Sequence, residues 1–280
     1  ILLYLGNHGK RLSNHLNLPS VKISNFIGEA VSYGFQLGFK KNDQRSLKKE
    51  YPFDKQMKIV QADGKLCIFF PAEKETTGLK FYINGPFASA IDRASVKHDH
   101  KGNRKIILAL SELVVSALFE LKKHKLLNSD VLALLPNNDD ILPNFYEPIR
   151  ARVHEALTTE DLILTRSNSY SPAVDLVKGP KALSDIFSDA DVSFLSSEES
   201  KAWAAGVLQN SRADKLLSDL EVSTWGYSEF LENVHSKYWG IGERKENTDW
   251  LAAKPLPWLR KFYLTLYSAA KRTDSESRLS

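Results

Sequence analysis

Residues 66–96 of the chain read LCIFFPAEKETTGLKFYINGPFASAIDRASV, and this stretch decides the fold that we predict. It contains two short apolar runs, Leu66–Phe70 and Leu79–Ile83, each bounded by proline, glycine or charge, which is typical of buried strands. A charged loop, Ala72–Gly78, separates the two runs, and a Gly-Pro turn follows the second. The stretch therefore predicts strand, loop and strand, leading to a cation at Arg93.

Downstream of this stretch, from Asn103, the hydrophobic period changes to that of a helix. Lys122, Lys123 and Lys125 stand at its far end, where the helix dipole favours positive charge. We therefore predict a long amphipathic helix soon after Arg93. Its apolar positions recur at helical spacing: Ile106, Leu110, Leu113, Val114, Ala117, Leu118 and Leu121.

Upstream of residues 66–96 the sequence is rich in strand patterns, over residues 21–27, 30–39 and 58–61. Asp63-Gly64 lies between two apolar runs and predicts a hairpin, because a type I′ turn needs positive φ. The charged cluster Lys40–Lys49 predicts an exposed loop.

Beyond Asn128 the pattern is mainly helical and acidic. Asn128 can cap a short helix that runs through Leu135, and Asn144 can cap another from Phe145 to Leu157. Further helices are predicted over residues 181–187, 197–204, 211–220, 228–238 and 256–271, with a loop over residues 239–255. The predicted fold class is α+β, with a strand-rich, transducer-like α/β domain over residues 1–126 and a mainly helical domain over residues 127–280.

The composition indicates a soluble, globular chain. It has 280 residues, 42% of them hydrophobic, and no apolar run reaches the roughly 18 to 20 residues that cross a bilayer. With no membrane segment and no signal-peptide pattern at the start, we expect a cytoplasmic protein. The single cysteine, Cys67, cannot form an internal disulfide, and its apolar neighbours predict a packed, inert thiol. An isoleucine start and a polar tail suggest a piece of a longer protein.

Charge is distributed unevenly along the chain. Residues 1–105 carry 18 Lys and Arg against 9 Asp and Glu, a net charge of +9, whereas the whole chain carries only +4. A basic first part is compatible with phosphate or nucleic-acid contact through counterion release. Docking between the two parts, or merely solvated lysines, would explain the same asymmetry.

The common catalytic motifs are missing from the sequence. There is no phosphate-binding P-loop, GxSxG elbow, HExxH helix or paired CxxC. His98-Asp99-His100 bunches three metal-ligand types, but Lys97 and Lys101 flank it and oppose a cation, so we expect no metal. Asp139-Asp140, between two prolines, is interpreted as a polar turn rather than a catalytic carboxylate pair.

Residues 66–96, together with residues 135–150, 211–215 and the Trp225-Gly226 pair, resemble large bacterial ATP-binding proteins related to sacsin. Their nucleotide domain is of the GHKL type shared with heat-shock protein 90, gyrase B and MutL. The resemblance covers about residues 58–240. The superfamily's Glu-and-Asn helix is not matched, because Ser116 stands where that helix would carry asparagine, and no DxGxG follows. The resemblance therefore implies the middle, or transducer, region after the nucleotide domain, with no complete active site of its own.

By this resemblance, the region would supply one cation to the γ-phosphate of ATP held with magnesium by the nucleotide domain. Arg93 is the leading candidate for this catalytic role and Lys74 the second, although Ile91-Asp92 make the local match to the heat-shock 90 pattern imperfect. An ion pair with Asp92 or a helix-capping contact would explain Arg93 structurally, and a solvated loop would explain Lys74. Any ATPase activity would belong to the parent protein. The implied partners are the nucleotide domain of the same protein and a client protein.

Two other functions stay open. The basic first part could serve a nucleic-acid-binding module of a bacterial DNA-processing or anti-phage system, in which case the lysines of residues 40–58 should line one face. A purely structural helical scaffold is the third. The aromatic residues of the last third are expected to pack mostly in its core: Trp203, Trp225, Tyr227, Tyr238, Trp239, Trp250 and Trp258.

Overall fold

The computed structural model describes residues 2–5, 32–40, 50–68, 70–239 and 244–277. The strands are β1 Leu2–Leu5, β2 Ser32–Phe39, β3 Met57–Val60, β4 Leu66–Ile68, β5 Phe70–Pro71, β6 Tyr82–Asn84, β7 Ile163–Leu164, β8 Tyr170–Ser171, β9 Leu176–Lys178, β10 Ala202–Trp203 and β11 Ser223–Thr224. The helices are α1 Phe53–Gln56, α2 Lys101–Lys123, α3 Ser129–Leu132, α4 Glu147–Thr159, α5 Lys181–Ser184, α6 Asp189–Ser196, α7 Arg212–Asp219, α8 Tyr227–Trp239, α9 Arg244–Ala252 and α10 Leu256–Ser277. The fold is mixed α+β, as predicted. None of the helices among the described residues has both the length and the apolar character that crossing a bilayer requires.

The chain divides into two compact units. The first comprises Ile1–Ile163 and Val207–Leu220, and the second comprises Leu164–Gly206 and Glu221–Ser280. The first change of unit comes after Ile163, later in the chain than the predicted boundary after residue 126. The physical reason is that α2 and α4 pack on each other, which keeps α4 in the first unit although it follows residue 126.

The first unit is built on a six-stranded sheet with the order β1-β2-β6-β4-β5, in which β3 also pairs with β2. All pairs are antiparallel except β4 with β6, which is parallel. Phe35 of β2 and Phe81, just before β6, meet edge to face with ring centroids 5.4 Å apart. Both rings are fully buried.

The predicted hairpin at Asp63-Gly64 is wrong, because β4 pairs with β6 and β5 and not with β3. The Gly64 amide instead donates to the Leu79 carbonyl oxygen at 3.0 Å. A Cβ atom at Gly64 would lie 2.4 Å from the Phe81 carbonyl oxygen. Glycine is therefore present for a close approach of two backbones, rather than for positive φ.

The long helix α2 confirms the periodicity prediction, and its apolar stripe is buried. The Asn128 cap is also confirmed, since its side chain accepts hydrogen bonds from the amides of Asp130 and Val131. The predicted Asn144 cap is wrong. Helix α4 begins at Glu147, after Tyr146, and Pro148 occupies its first turn.

The segment that contains α7 lies in the first unit and forms ion pairs with the turn around Asp139 and Asp140. Arg212 donates to both carboxylate oxygens of Asp140, at 2.6 and 2.7 Å, and Lys215 pairs with Asp139. Burial opposes ionisation of Asp140, but the bonds from Arg212 and from the Asn137 amide outweigh it, so the pKa of Asp140 is lowered. The Asp139-Asp140 pair thus does lie in a polar turn, and that turn also holds α7.

The second unit has a parallel three-stranded sheet, β10-β9-β11, that the sequence did not predict. The helix predicted over residues 197–204 is wrong, because these residues lead into β10, whose parallel partner β9 lies far back in the chain. The loop predicted over residues 239–255 is also wrong, since it contains α9. The core prediction is confirmed for six of the seven aromatics: Trp203 and Trp225 are buried, and Tyr227, Tyr238, Trp250 and Trp258 pack against the same cluster. The side chain of Trp239 lies outside what the structure describes.

Candidate functional site

The connection between β6 and α2 folds back on itself as a narrow loop, Ala88–Lys97, which we call the tip loop. Its two arms are joined by an antiparallel bridge between Ser89 and Val96. The Ala90 amide donates to the Ser95 carbonyl oxygen at 3.0 Å, and the Lys97 amide donates to the Ala88 carbonyl oxygen at 3.1 Å. The loop therefore has a paired base, and residues 91–94 form its tip.

Arg93 lies at this tip and is exposed. Its backbone is left-handed, with φ of 56°, and its amide donates to the Ala90 carbonyl oxygen at 3.0 Å. Non-glycine residues seldom adopt this conformation, so the loop holds Arg93 in an uncommon backbone state. Among the described residues, the guanidinium group has no ion-pair or hydrogen-bond partner.

Lys74, the second candidate, lies beside the same tip although it is distant in sequence. Its amide donates to the Ala94 carbonyl oxygen at 2.8 Å, and its Nζ lies 2.8 Å from Asp92 Oδ2. The hydrogen bond from Lys74, with a second from the Ala94 amide, lowers the pKa of Asp92, and the same pair raises the pKa of Lys74. Asp92 thus pairs with Lys74 rather than with Arg93, and the structure brings the two predicted cations to one place.

Glu75, the residue after Lys74, accepts hydrogen bonds from the tip loop and from the residue before α4. Its side chain is only 5% exposed, and its carboxylate accepts from the Val96 amide at 2.9 Å and from the Tyr146 hydroxyl at 2.7 Å. His98 Nε2 lies 2.7 Å from the same carboxylate. Burial, together with the bond to Glu75, raises the pKa of Tyr146 well above its usual range. The loop that carries Lys74 is therefore tied both to the tip loop and to the start of α4.

Asn103, on the first turn of α2, ties the base of the tip loop to that helix. Its Oδ1 accepts from the Ala88 amide at 2.7 Å. Its Nδ2 donates to the carbonyl oxygens of Ala88 at 2.8 Å and of Lys97 at 2.9 Å. Asn103 is buried, so these three bonds connect both arms of the loop to the rigid helix from the inside.

A cavity of about 620 Å³ lies next to the tip loop, within the size range of small-molecule sites. It has an apolar floor that includes Ile107 and Phe145, and polar groups that include His98 and Arg104. The His98 ring stacks on Phe145 with centroids 4.5 Å apart. His98 is thus engaged by Glu75 and Phe145, and the described residues contain no group of three potential metal ligands.

The outer surface near the cavity is basic. Lys97, Lys101, Arg104 and Lys105 are all exposed, and within the described ranges none of their side chains forms an ion pair. The first turn of α2 contains no acidic residue. Of the lysines in residues 40–58, which the nucleic-acid hypothesis needed, Lys41, Lys48 and Lys49 lie outside the described residues, whereas Lys40, Lys55 and Lys58 are exposed.

Cys67 lies in strand β4. Its side chain is half-buried, and burial raises the pKa of its thiol, which disfavours the reactive thiolate.

The sequence singled out Arg93 and Lys74 but not the residues that place them. Glu75, Asn103 and Tyr146 have no motif around them, because their partners are backbone groups and side chains from other elements. The HxH pattern did mark His98, but for metal binding rather than for its bond to Glu75. A polar residue at a position of α2 that faces the interior was the one local signal for Asn103.

No protein-family model matches the chain, and no solved structure matches it. A 44-residue stretch is 52% identical to a cobalt-precorrin-5B C(1)-methyltransferase of Treponema denticola. This match covers 14% of the chain and 12% of that enzyme. The chain therefore spans only a small part of that relative's length, and the likeness shows no shared family.

Proposed function

We propose that this chain is the middle, or transducer, region of a chaperone-like bacterial ATP-binding protein of the sacsin and heat-shock-protein-90 kind, and that it relays nucleotide state. In this proposal a separate nucleotide domain binds ATP and magnesium, and the tip loop presents Arg93 to the γ-phosphate. The observation that carries the proposal is the exposed guanidinium at the tip of a loop whose base is tied to a helix. The sequence resemblance over residues 66–96 supplies the identity of the partner domain.

The chemistry of phosphoryl transfer fits such a residue. Charge spreads over the γ-phosphate oxygens as the bond to the leaving group breaks, and a fixed cation stabilises that charge. Arginine suits this role because its planar guanidinium donates several hydrogen bonds in a fixed geometry. An arginine whose backbone is already fixed before the reaction needs less reorganisation when the domains close.

Lys74 is the secondary cation in this proposal. Its ion pair with Asp92 is exposed, with 71% and 48% of the two side chains accessible, so solvent screens the attraction strongly. A phosphate group could therefore replace Asp92 as the partner of Lys74 at small cost. The client protein and a cytoplasmic location are parts of the same proposal, whereas a role in anti-phage defence belongs to the alternative, binding of a nucleic acid.

The test is ATP turnover by the complete protein. Arg93→Ala should lower kcat about tenfold or more while nucleotide affinity changes little, as expected for a group that acts mainly in the transition state. Lys125→Ala is the matched control, because Lys125 is also an exposed cation with a left-handed backbone, φ of 57°, at the other end of α2. Turnover by Arg93→Ala within twofold of the wild type would remove Arg93 from the mechanism.

The basic surface of Lys97, Lys101, Arg104 and Lys105 favours a second candidate function, binding of a nucleic-acid backbone. Such binding should weaken steeply as salt rises, because each neutralised phosphate releases counterions. Neutralising Lys101, Arg104 and Lys105 together should then reduce the slope of log affinity against log salt by about 3. Affinity for duplex DNA that is absent at low salt, or a slope that the triple variant leaves unchanged, would exclude this function.

A further inference from the structure

We infer that Asn103 is a positioning residue for Arg93, because it sets the geometry of the loop that carries the cation. This inference rests on the proposed function for its consequence in turnover, whereas the geometry itself can be tested on the 280-residue chain. Asn103 touches neither Arg93 nor any phosphate in this proposal. It acts through the base of the tip loop.

The hydrogen bonds of Asn103 use the full donor capacity of its amide. The amide oxygen accepts from the Ala88 amide. The two N–H groups donate to the carbonyl oxygens of Ala88 and Lys97, which lie in opposite arms of the loop. A residue at this position must therefore offer one acceptor and two donors at short reach, and only asparagine provides that set. Aspartate keeps the acceptor but has no donor, and alanine has neither.

Asn103 serves the loop rather than its own helix. The helix N-cap is His100, which makes no side-chain capping bond, and the Asn103 amide already bonds to the His100 carbonyl oxygen at 3.0 Å. Asparagine is a poor helix former in a helix interior. Its presence at a buried position of the first turn is explained by the two loop arms that its side chain joins.

Loss of the Asn103 hydrogen bonds affects Arg93 through the pairing of the two arms of the tip loop. Bonds between Ala90 and Ser95 and across the Ser89–Val96 bridge continue from the base that Asn103 holds up to the tip. When the base opens, these pairs lose their register, and Arg93 is no longer held in its left-handed conformation. Because catalysis depends on the position of the reacting groups to within about 1 Å, a displaced Arg93 should lower turnover, by at most as much as its removal does.

Amide hydrogen exchange on the 280-residue chain tests the geometry. Asn103→Ala should reduce the protection of the Ala90 and Lys97 amides about tenfold or more, because their acceptors lie in the opposite arm. Ser111→Ala is the matched control, since Ser111 is also buried on α2 but bonds within the helix, to the Leu108 carbonyl oxygen at 2.7 Å. It should leave the protection of the loop unchanged.

ATP turnover by the complete protein tests the role. Asn103→Ala should lower kcat with little change in KM, and the Arg93→Ala/Asn103→Ala double variant should be no slower than Arg93→Ala alone. A merely structural residue would instead lower turnover further in the double variant. If Asn103→Ala also unprotects the centre of α2, then Asn103→Asp, which keeps the acceptor for Ala88, decides the question by the same two measurements.

The two proposals fail in different ways. If Arg93→Ala lowers kcat but neither Asn103 variant changes loop protection or kcat, the inference about Asn103 is overturned and the proposed function stands. If the Asn103 variants loosen the loop but Arg93→Ala leaves turnover unchanged, the proposed function is overturned, and the link between Asn103 and turnover falls with it.

Discussion

Replacement of Glu75 by alanine should destabilise the first unit by about 3 kcal/mol, because two buried donors lose their acceptor. Tyr146 is fully buried and Val96 nearly so, and both donate to the Glu75 carboxylate. Each buried group left without a partner costs about 1 to 3 kcal/mol. The third donor, His98, has 42% of its side chain exposed, so water can take the place of Glu75 there.

A double-mutant cycle isolates the bond to Tyr146. Tyr146→Phe alone should cost about 2 kcal/mol, since it removes one hydrogen bond to a charged acceptor. In the Glu75→Ala background the same change should be neutral or stabilising, because it deletes a hydroxyl that already lacks a partner. The coupling energy should therefore exceed about 1 kcal/mol. Glu73→Ala is the control: Glu73 is exposed in the same loop and should change stability by no more than about 0.5 kcal/mol.

Hydrogen exchange of the α2 amides measures the opening free energy of the first unit in each variant. The five tryptophans all lie in the second unit, at positions 203, 225, 239, 250 and 258, so their fluorescence provides an internal control that should not change. Glu75→Ala with an opening free energy within about 0.5 kcal/mol of the wild type, and without coupling to Tyr146→Phe, would refute the assignment of Glu75 as a buried acceptor.

Two further predictions concern the same unit. Because burial and the Glu75 bond raise the pKa of Tyr146 above its ordinary value of 10.0, the phenol stays protonated in the folded state while it ionises in the unfolded chain. The stability that this proton contributes to the first unit should thus be retained below about pH 10. As pH rises further, the free energy of unfolding should fall by up to about 1.4 kcal/mol per pH unit. Tyr146→Phe should remove that slope in denaturation curves recorded from about pH 9 to 11.5. Gly78→Ala should cost more than about 2 kcal/mol in the same assay, since φ is +74° and the new Cβ would lie 2.4 Å from the Ile141 carbonyl oxygen. Gly206→Ala, where no atom lies within 4 Å of the added Cβ, should change the stability of its own unit by less than about 1 kcal/mol, and equal effects at the two glycines would contradict this account.

The candidate site divides into a part that the sequence could indicate and a part that it could not. Arg93 and Lys74 stood out because of their places in a strand-loop-strand-helix pattern, and the structure puts both at the tip loop. The carboxylate of Glu75 looked like any other charge in a polar loop. Its importance comes from Tyr146 and Val96, whose distance from Glu75 in sequence hides the contact.

Sequence pattern alone determined the elements whose stabilising interactions join residues only a few positions apart. The apolar period of α2, the Asn128 cap and the α7, α8 and α10 helices follow from spacing and side-chain chemistry within a few residues. Tertiary structure alone decided where strands found their partners. Strand β4 pairs in parallel with β6 instead of forming the predicted hairpin with β3. Residues 202–203 form strand β10 because they pair in parallel with β9. In both of these pairs the backbone hydrogen bonds join residues that are distant in the chain, so no short stretch of sequence contains both the donor and the acceptor.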